Sequence, residues 1–237
     1  MFIYSICVHL CQSVANHASE ETRDNGLELC PEFAMRGWEP TFPFPPVLCH
    51  TESMSEIVFE MTLEDYLEGE QRSEIRHEYI GGVAYAMVGG SEAHNLISLA
   101  LASALRQDLR GGSCRAFMAD VKISLRIAEE DIFNYPDVMV VCDPRDTDPH
   151  CKRYPKVVIE VLSESTERTD RREKFLSYTQ IETLEEYVLA AQDKMEVTIF
   201  RRARRWEPEV VRLPEQAVRL NSVNFSVALR EVYEGVK

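Results

Sequence analysis

From Ile57 onward, apolar positions follow either a helical or a strand period; before it they follow neither. Thr62-Leu-Glu-Asp-Tyr-Leu67 sets acids in the first turn behind a capping threonine and predicts a short helix. Arg76 to Met87 reads as a β-hairpin about Gly81-Gly82. Ser91 to Leu109 carries apolar residues at 96, 97, 100, 101, 104 and 105 and stops at Gly111-Gly112, the pattern of a capped amphipathic helix. Cys114–Met118 and Val121–Ile127 read as strands joined near Asp120. Tyr135–Val141 and Pro155–Ser163 contain apolar runs rich in β-branched residues, predicting strands, with turn-forming Asp143–Pro149 between them. Ser165-Thr-Glu167 starts a charged helix over 167–180. Strands over 186–190, 196–200 and 206–211 follow, the first two turning at Asp193-Lys194, and 225–232 reads as a short closing helix.

Two acids stand where this pattern makes them costly. Asp137 opens one strand and Glu160 lies inside another, and a buried carboxylate needs a positive partner. Neighbouring strands lie only ~4.8 Å apart, so the pair can share a divalent cation through oxygen ligands. Asp170, Lys174 and Tyr178 follow at spacings of four, on one helical face. Two strand acids and a lysine outline a metal-assisted hydrolase site. Several neighbours have two readings. Glu78 either points inward with Ile80 or pairs at the surface with Arg76. Asp120 and Lys122 share a face that is either site-facing or solvent-facing, with solvent favoured, and His94 reads as a surface or capping residue rather than a catalytic one. Arg201, Arg202, Arg204 and Arg205 form the one dense basic cluster, either a guard against edge-to-edge strand pairing or a backbone-phosphate contact. Tyr178 either packs in the core or reaches a phosphate.

The net charge of −14 argues against a simple basic nucleic-acid surface. It is uneven, because residues 1–60 hold two Lys/Arg against nine Asp/Glu, half of the total. Bound cations can also reverse a local potential. The seven cysteines include no Cys-x-x-Cys pair. Cys142…His150-Cys151 lacks a second zinc half-site, so free thiols in a reducing cytoplasm are expected. No apolar run approaches the ~18 residues of a membrane span. Residues 1–15 are apolar at the start without a basic leader, and 16–53 are acidic, aperiodic and proline-bearing. Residues 1–56 therefore read as a poorly ordered extension, or in part as an over-long reading of the gene, with a functional arm as the alternative.

Met61–Leu67, the Glu78 hairpin, His94 opening a helix, Tyr135-Pro-Asp-Val138, Ile159-Glu-Val-Leu-Ser163 and Asp170…Lys174…Tyr178 stand in a familiar order. Together they resemble the Uma-type restriction endonucleases, a branch of the PD-(D/E)xK nuclease superfamily, over about residues 57–233. The resemblance implies an α/β restriction-endonuclease-like fold over 57–237, with a central mixed sheet flanked by helices. It implies a Mg²⁺- or Mn²⁺-dependent DNA endonuclease, with Asp137, Glu160, the Val161 carbonyl and Glu78 toward the ion. Lys174 and Tyr178 would stand beside the scissile phosphate, and dimerisation would suit cleavage of both strands. The superfamily pattern has a lysine two residues after the second acid, where this chain has Leu162. Lys174, fourteen residues after Glu160, is the substitute. Without it, the same fold would serve as a non-catalytic nucleic-acid-binding or assembly module.

Overall fold

A computed structural model describes residues 58–87, 89–163 and 170–237. The expected extension over 1–56 lies outside the described residues, as do the first residues of the helix expected from 167. In chain order the elements are β1 (Val58–Glu60), α1 (Leu63–Arg72), β2 (His77–Ile80), β3 (Val83–Ala86), α2 (Glu92–Asp108), β4 (Arg115–Met118) and β5 (Lys122–Ile127). Next come β6 (Glu130–Asn134), β7 (Val138–Val141), β8 (Cys151–Lys152), β9 (Pro155–Leu162), a π-helical turn Asp170–Lys174 and α3 (Phe175–Tyr178). The chain continues through β10 (Glu186–Ala191), β11 (Val197–Arg201), β12 (Pro208–Val211), β13 (Ala217–Leu220), β14 (Phe225–Ala228) and α4 (Leu229–Val232).

The strands form two mixed six-stranded sheets and a separate β13-β14 hairpin. One sheet runs β1-β3-β2-β6-β5-β8 and the other β12-β11-β10-β9-β7-β4. In the second sheet β9 and β10 are parallel, and β9 is buried at every position except Lys156. Cover on both faces explains why this strand is an unbroken apolar run rather than an alternating one.

Alternation along β9 still decides which side each residue serves. Val157, Ile159 and Val161 pack toward Ile97, Leu101 and Leu105 of α2. Val158 and Leu162 pack with Ile123, Tyr178 and Tyr187 on the opposite side. Glu160 shares the parity of Val158, and Asp137 shares that of Met139 and Val141, so both acids belong to the second side. The β7–β9 register pairs Val138 with Ile159, which makes Asp137 and Glu160 the next positions facing each other.

Thr62 and Ser91 cap α1 and α2 as their sequences predict, each side chain accepting a backbone N–H from three residues on. Several expectations are corrected. Cys114–Met118 and Val121–Ile127 hold strands as expected, and these part into different sheets: β4 joins β7 in one, and β5 joins β6 in the other. β6 gave no hairpin signal because its turn is Ala128-Glu129, two non-glycine residues at positive φ. The closing helix over 225–232 is strand β14 followed by the four residues of α4, because Phe225–Ala228 pairs with Ala217–Leu220. Short apolar runs fit either period until a partner strand is present. The free-thiol expectation fails for Cys114 and Cys142, which form a disulfide. The antiparallel β4–β7 register pairs Arg115 with Val141 and so brings the two cysteines opposite one another. That bond also removes Cys142 from any zinc pair, and Cys151 remains a half-buried thiol whose pKa burial pushes up.

Candidate active site

Glu160 and Lys174 meet beside the second sheet, and Asp137, just before β7, is hydrogen-bonded to β9 next to them. The two acids are tied through the backbone: the Asp137 N–H donates to Glu160 Oε2 at 3.2 Å, and the Val161 N–H donates to Asp137 Oδ2 at 2.7 Å. Each acid therefore fixes the strand that carries the other. Glu160 is 2% exposed, and the Tyr178 hydroxyl donates to its Oε1 at 3.1 Å. Tyr178 thus packs in the core and binds the site at once.

Lys174 comes from the π-helical turn and lies among three carboxylates. Its Nζ is 2.9 Å from Glu78 Oε1, 3.3 Å from Asp170 Oδ1 and 3.5 Å from Glu160 Oε1. Glu78 is therefore the inward carboxylate of its two readings, while Arg76 lies 3.4 Å from Asp120. Burial pulls the Lys174 ammonium down, but Glu160 and Glu78 outweigh it and hold its pKa well above the usual value. Burial dominates at Glu160 and pushes its carboxyl up, against the pull of Lys174. Among the described residues, Lys174 thus serves three carboxylates at once.

His94 stands at this site, against its favoured reading as a surface or capping residue. Its Nε2 lies 3.2 Å from Asp137 Oδ2. The bond to Asp137 raises the imidazole pKa, against burial, and the Val161 backbone adds to the rise. A histidine in the first turn after a capping serine looks like a surface residue; only the approach of α2 to β7 and β9 turns it onto Asp137.

A second network holds the segment that leads into Asp137. Buried Glu70 of α1 accepts from the His77 N–H at 3.1 Å and from the Tyr135 hydroxyl at 2.9 Å, and its Oε2 lies 3.0 Å from His77 Nδ1. The Tyr135 N–H donates to Glu78 Oε1 at 3.3 Å. Burial pushes Glu70 up, but the bonds from His77 and Tyr135 hold its carboxyl below the usual value.

The basic cluster is dispersed. Arg201 is buried and bonds Glu186 at 2.9 Å and Glu209 at 2.6 Å, because the β10–β11 register sets it opposite Glu186. Burial in that ion pair corrects its reading as a phosphate contact. Arg202 donates to the Leu184 and Ile181 carbonyls and lies over the Trp206 ring. Arg204 pairs with Glu209, and Arg204 and Arg205 are exposed. Asp120 is exposed as expected, but Lys122 is half-buried, 5.8 Å from the ring centres of both Tyr66 and Tyr135.

Among the described residues no three His, Cys, Asp or Glu side chains converge as a ready-made metal cage. The donors that do converge, Asp137, Glu160 and the Val161 backbone, are of the hard-oxygen kind. Mg²⁺ is usually held by one or two carboxylates together with substrate phosphate and water, so this donor set fits such an ion.

The mixed sheets and the acid pair at facing strand positions define a restriction-endonuclease-like fold. The Uma2 family model, described as "Putative restriction endonuclease", matches residues 63–230, and the chain belongs to that family. It is 34% identical over 201 residues to the uncharacterized protein slr1290 of Synechocystis sp., covering 83% of this chain and 96% of that one. A second Synechocystis protein, sll1609, is 33% identical over 135 residues, covering 56% and 75% respectively. Among solved structures, a crystal structure titled as a putative nuclease belonging to DUF820 from Anabaena variabilis superposes with a TM-score of 0.60 at 19% identity, covering 75% of this chain and 99% of that one. Among the described residues no helix is long and apolar enough to cross a membrane.

Proposed function

We propose that the protein is a divalent-metal-dependent DNA endonuclease that hydrolyses phosphodiester bonds. The observation that carries this reading is the convergence of Asp137, Glu160 and Lys174, joined through the Asp137 and Val161 N–H groups. Asp137, Glu160 and the Val161 carbonyl would hold Mg²⁺ or Mn²⁺. When bound, the ion polarises the scissile phosphate and makes a nearby water more acidic. Glu78 is better placed to hold Lys174 than to reach the ion. Tyr178 orients Glu160 through its hydroxyl. Lys174 keeps its proton and neutralises charge developing on the phosphate, once substrate draws it from its carboxylates. DNA as substrate favours a cytoplasmic location, and a homodimer would allow both strands to be cut.

Purified protein is expected to cleave DNA with Mg²⁺ or Mn²⁺ and to stop when the metal is chelated. Asp137→Ala and Glu160→Ala should each lose more than about a hundredfold in rate, as expected when the group that places a catalytic metal is removed. Full activity in both variants would end the proposal. The binding of Lys174 Nζ by three carboxylates, together with Leu162 at the usual lysine position, favours a second reading: a module that binds nucleic acid without cutting it. That reading predicts salt-sensitive binding without cleavage under any metal, weakened by reversing Arg204 and Arg205.

A further inference from the structure

We infer that Lys122 and Arg76 form a seat for a backbone phosphate of the nucleic-acid strand, beside the acid pair and separate from it. The seat rests on the nucleic-acid reading above and adds to it the side chains that hold the strand rather than cut it.

With a net charge of −14, a strand must be held by cations that the protein's own acids leave free. The obvious ones are taken. Lys174 is shared by three carboxylates, Arg201 is buried against Glu186, and Arg204 pairs with Glu209. Lys122 differs. Among the described residues no carboxylate or carbonyl bonds its Nζ. Its 5.8 Å distances to the Tyr66 and Tyr135 ring centres are near the ~6 Å limit of a cation–π contact. Lys152 also lies over a ring, that of Phe117, yet its ammonium donates to the Asp146 and Asp148 carbonyls. An ammonium has three donors to fill, and half-buried Lys122 keeps its own for solvent or a ligand.

Placement supplies the identity of that ligand. Lys122 opens β5 directly after a turn that leans on Asp137, whose carbonyl accepts from the Ala119 N–H at 3.2 Å. Arg76 comes just before β2 and reaches the same turn. Its Nε lies 3.4 Å from Asp120 Oδ1, and its Nη1 3.5 Å from the Ser73 carbonyl. Both are long contacts for a guanidinium, and Asp120 is exposed, so an arriving anion can take Arg76 from it. The two cations converge on Tyr135: Lys122 faces its ring, and the Arg76 charge acts on its hydroxyl.

Tyr135 stands two residues ahead of Asp137, at most about 7 Å of extended chain. A strand with one phosphate at the acid pair therefore brings a neighbouring phosphate to Lys122 and Arg76. The guanidinium matches a phosphate with two prongs and the ammonium serves as a point charge, so the pair positions a backbone without reading a base.

The test is the salt dependence of binding between the full chain and a short dye-labelled DNA duplex, followed by fluorescence anisotropy in constant Ca²⁺. Changing both residues, Arg76→Gln with Lys122→Gln, should weaken binding about tenfold at low salt and lower the slope of log affinity against log salt by about one, the loss of one phosphate contact. Each single change should give part of that loss. Lys156→Gln with Lys194→Gln removes as much charge from lysines already paired with Glu185 and Glu196, and should leave the slope in place. An unchanged slope and affinity in the first pair, or equal losses in both pairs, would overturn the seat and leave the nucleic-acid reading standing. A wild type that binds no DNA would overturn both. If the doubly changed chain does not fold, Arg76→Gln alone should weaken binding, and Asp120→Asn, which frees Arg76, should tighten it. No change in either would overturn the seat.

Discussion

Lys174 shows how much one side chain carries. Its Nζ is within 3.5 Å of Glu78, Asp170 and Glu160, and its side chain is 11% exposed. Removing it takes from these buried carboxylates the ammonium that all three share. Lys174→Met should therefore lose about 3–5 kcal/mol of stability at neutral pH, the usual penalty for stripping one partner from a buried ion pair. Millimolar Mg²⁺ or Mn²⁺ should return more stability to this variant than to the wild type, since a cation on Glu160 offsets part of the charge that Lys174 no longer balances. Urea unfolding with and without metal measures both effects, and equal gains would show that metal and ammonium do not act on the same carboxylate. Asp137, Glu160 and Lys174 were legible as candidates because each breaks a local pattern: an acid at a strand start, an acid within a buried strand, a lysine one turn after an acid. His94 breaks none. A histidine behind a helix cap is unremarkable until another element meets it.

At the scale of elements, α1 reaches the site without contributing to it directly. Glu70 ties that helix to the start of β2 through His77 and to Tyr135, two residues before Asp137. Its carboxyl is held below its ordinary value of 4.5, so the sign of the linkage follows. The stabilisation is present in full above that ordinary value and is lost as pH falls through the depressed folded-state pKa. Glu70→Gln should be less stable than wild type near pH 7, by about 1–3 kcal/mol for hydrogen bonds to a charged group. The gap should close as the pH is lowered below about 4, the unperturbed glutamate range. Denaturation at pH 7 and pH 3 checks this, and a gap independent of pH would show that the charge does not matter. The capped helices and the strand β9 were readable locally, since caps and β-branched runs act over a few residues. β6 and β14 were not, because a turn without glycine and a short apolar run acquire their identity only from the strand beside them.

Across the whole molecule, the disulfide and the charge belong together as long-range features. Cys114 and Cys142 close a loop with a sequence separation of 28 across β4 and β7. Reduction, or the paired Cys114→Ser and Cys142→Ser change, should cost about 3.5 kcal/mol for a loop of this length. Urea midpoints that do not move with reductant would mean that the two thiols stay unlinked in solution. The net charge of −14 means that any DNA contact must be made against the protein's own field. The sequence by itself determined the periods of helix and strand, the acids set into apolar strands and the shortage of basic residues, since these are properties of near neighbours along the chain. Only the tertiary structure decided that Arg201 is buried against Glu186, that Glu78 holds Lys174, that His94 meets Asp137 and that two cysteines meet across strands. Those contacts depend on register and on which element packs on which, and residues far apart in sequence carry no local mark of either.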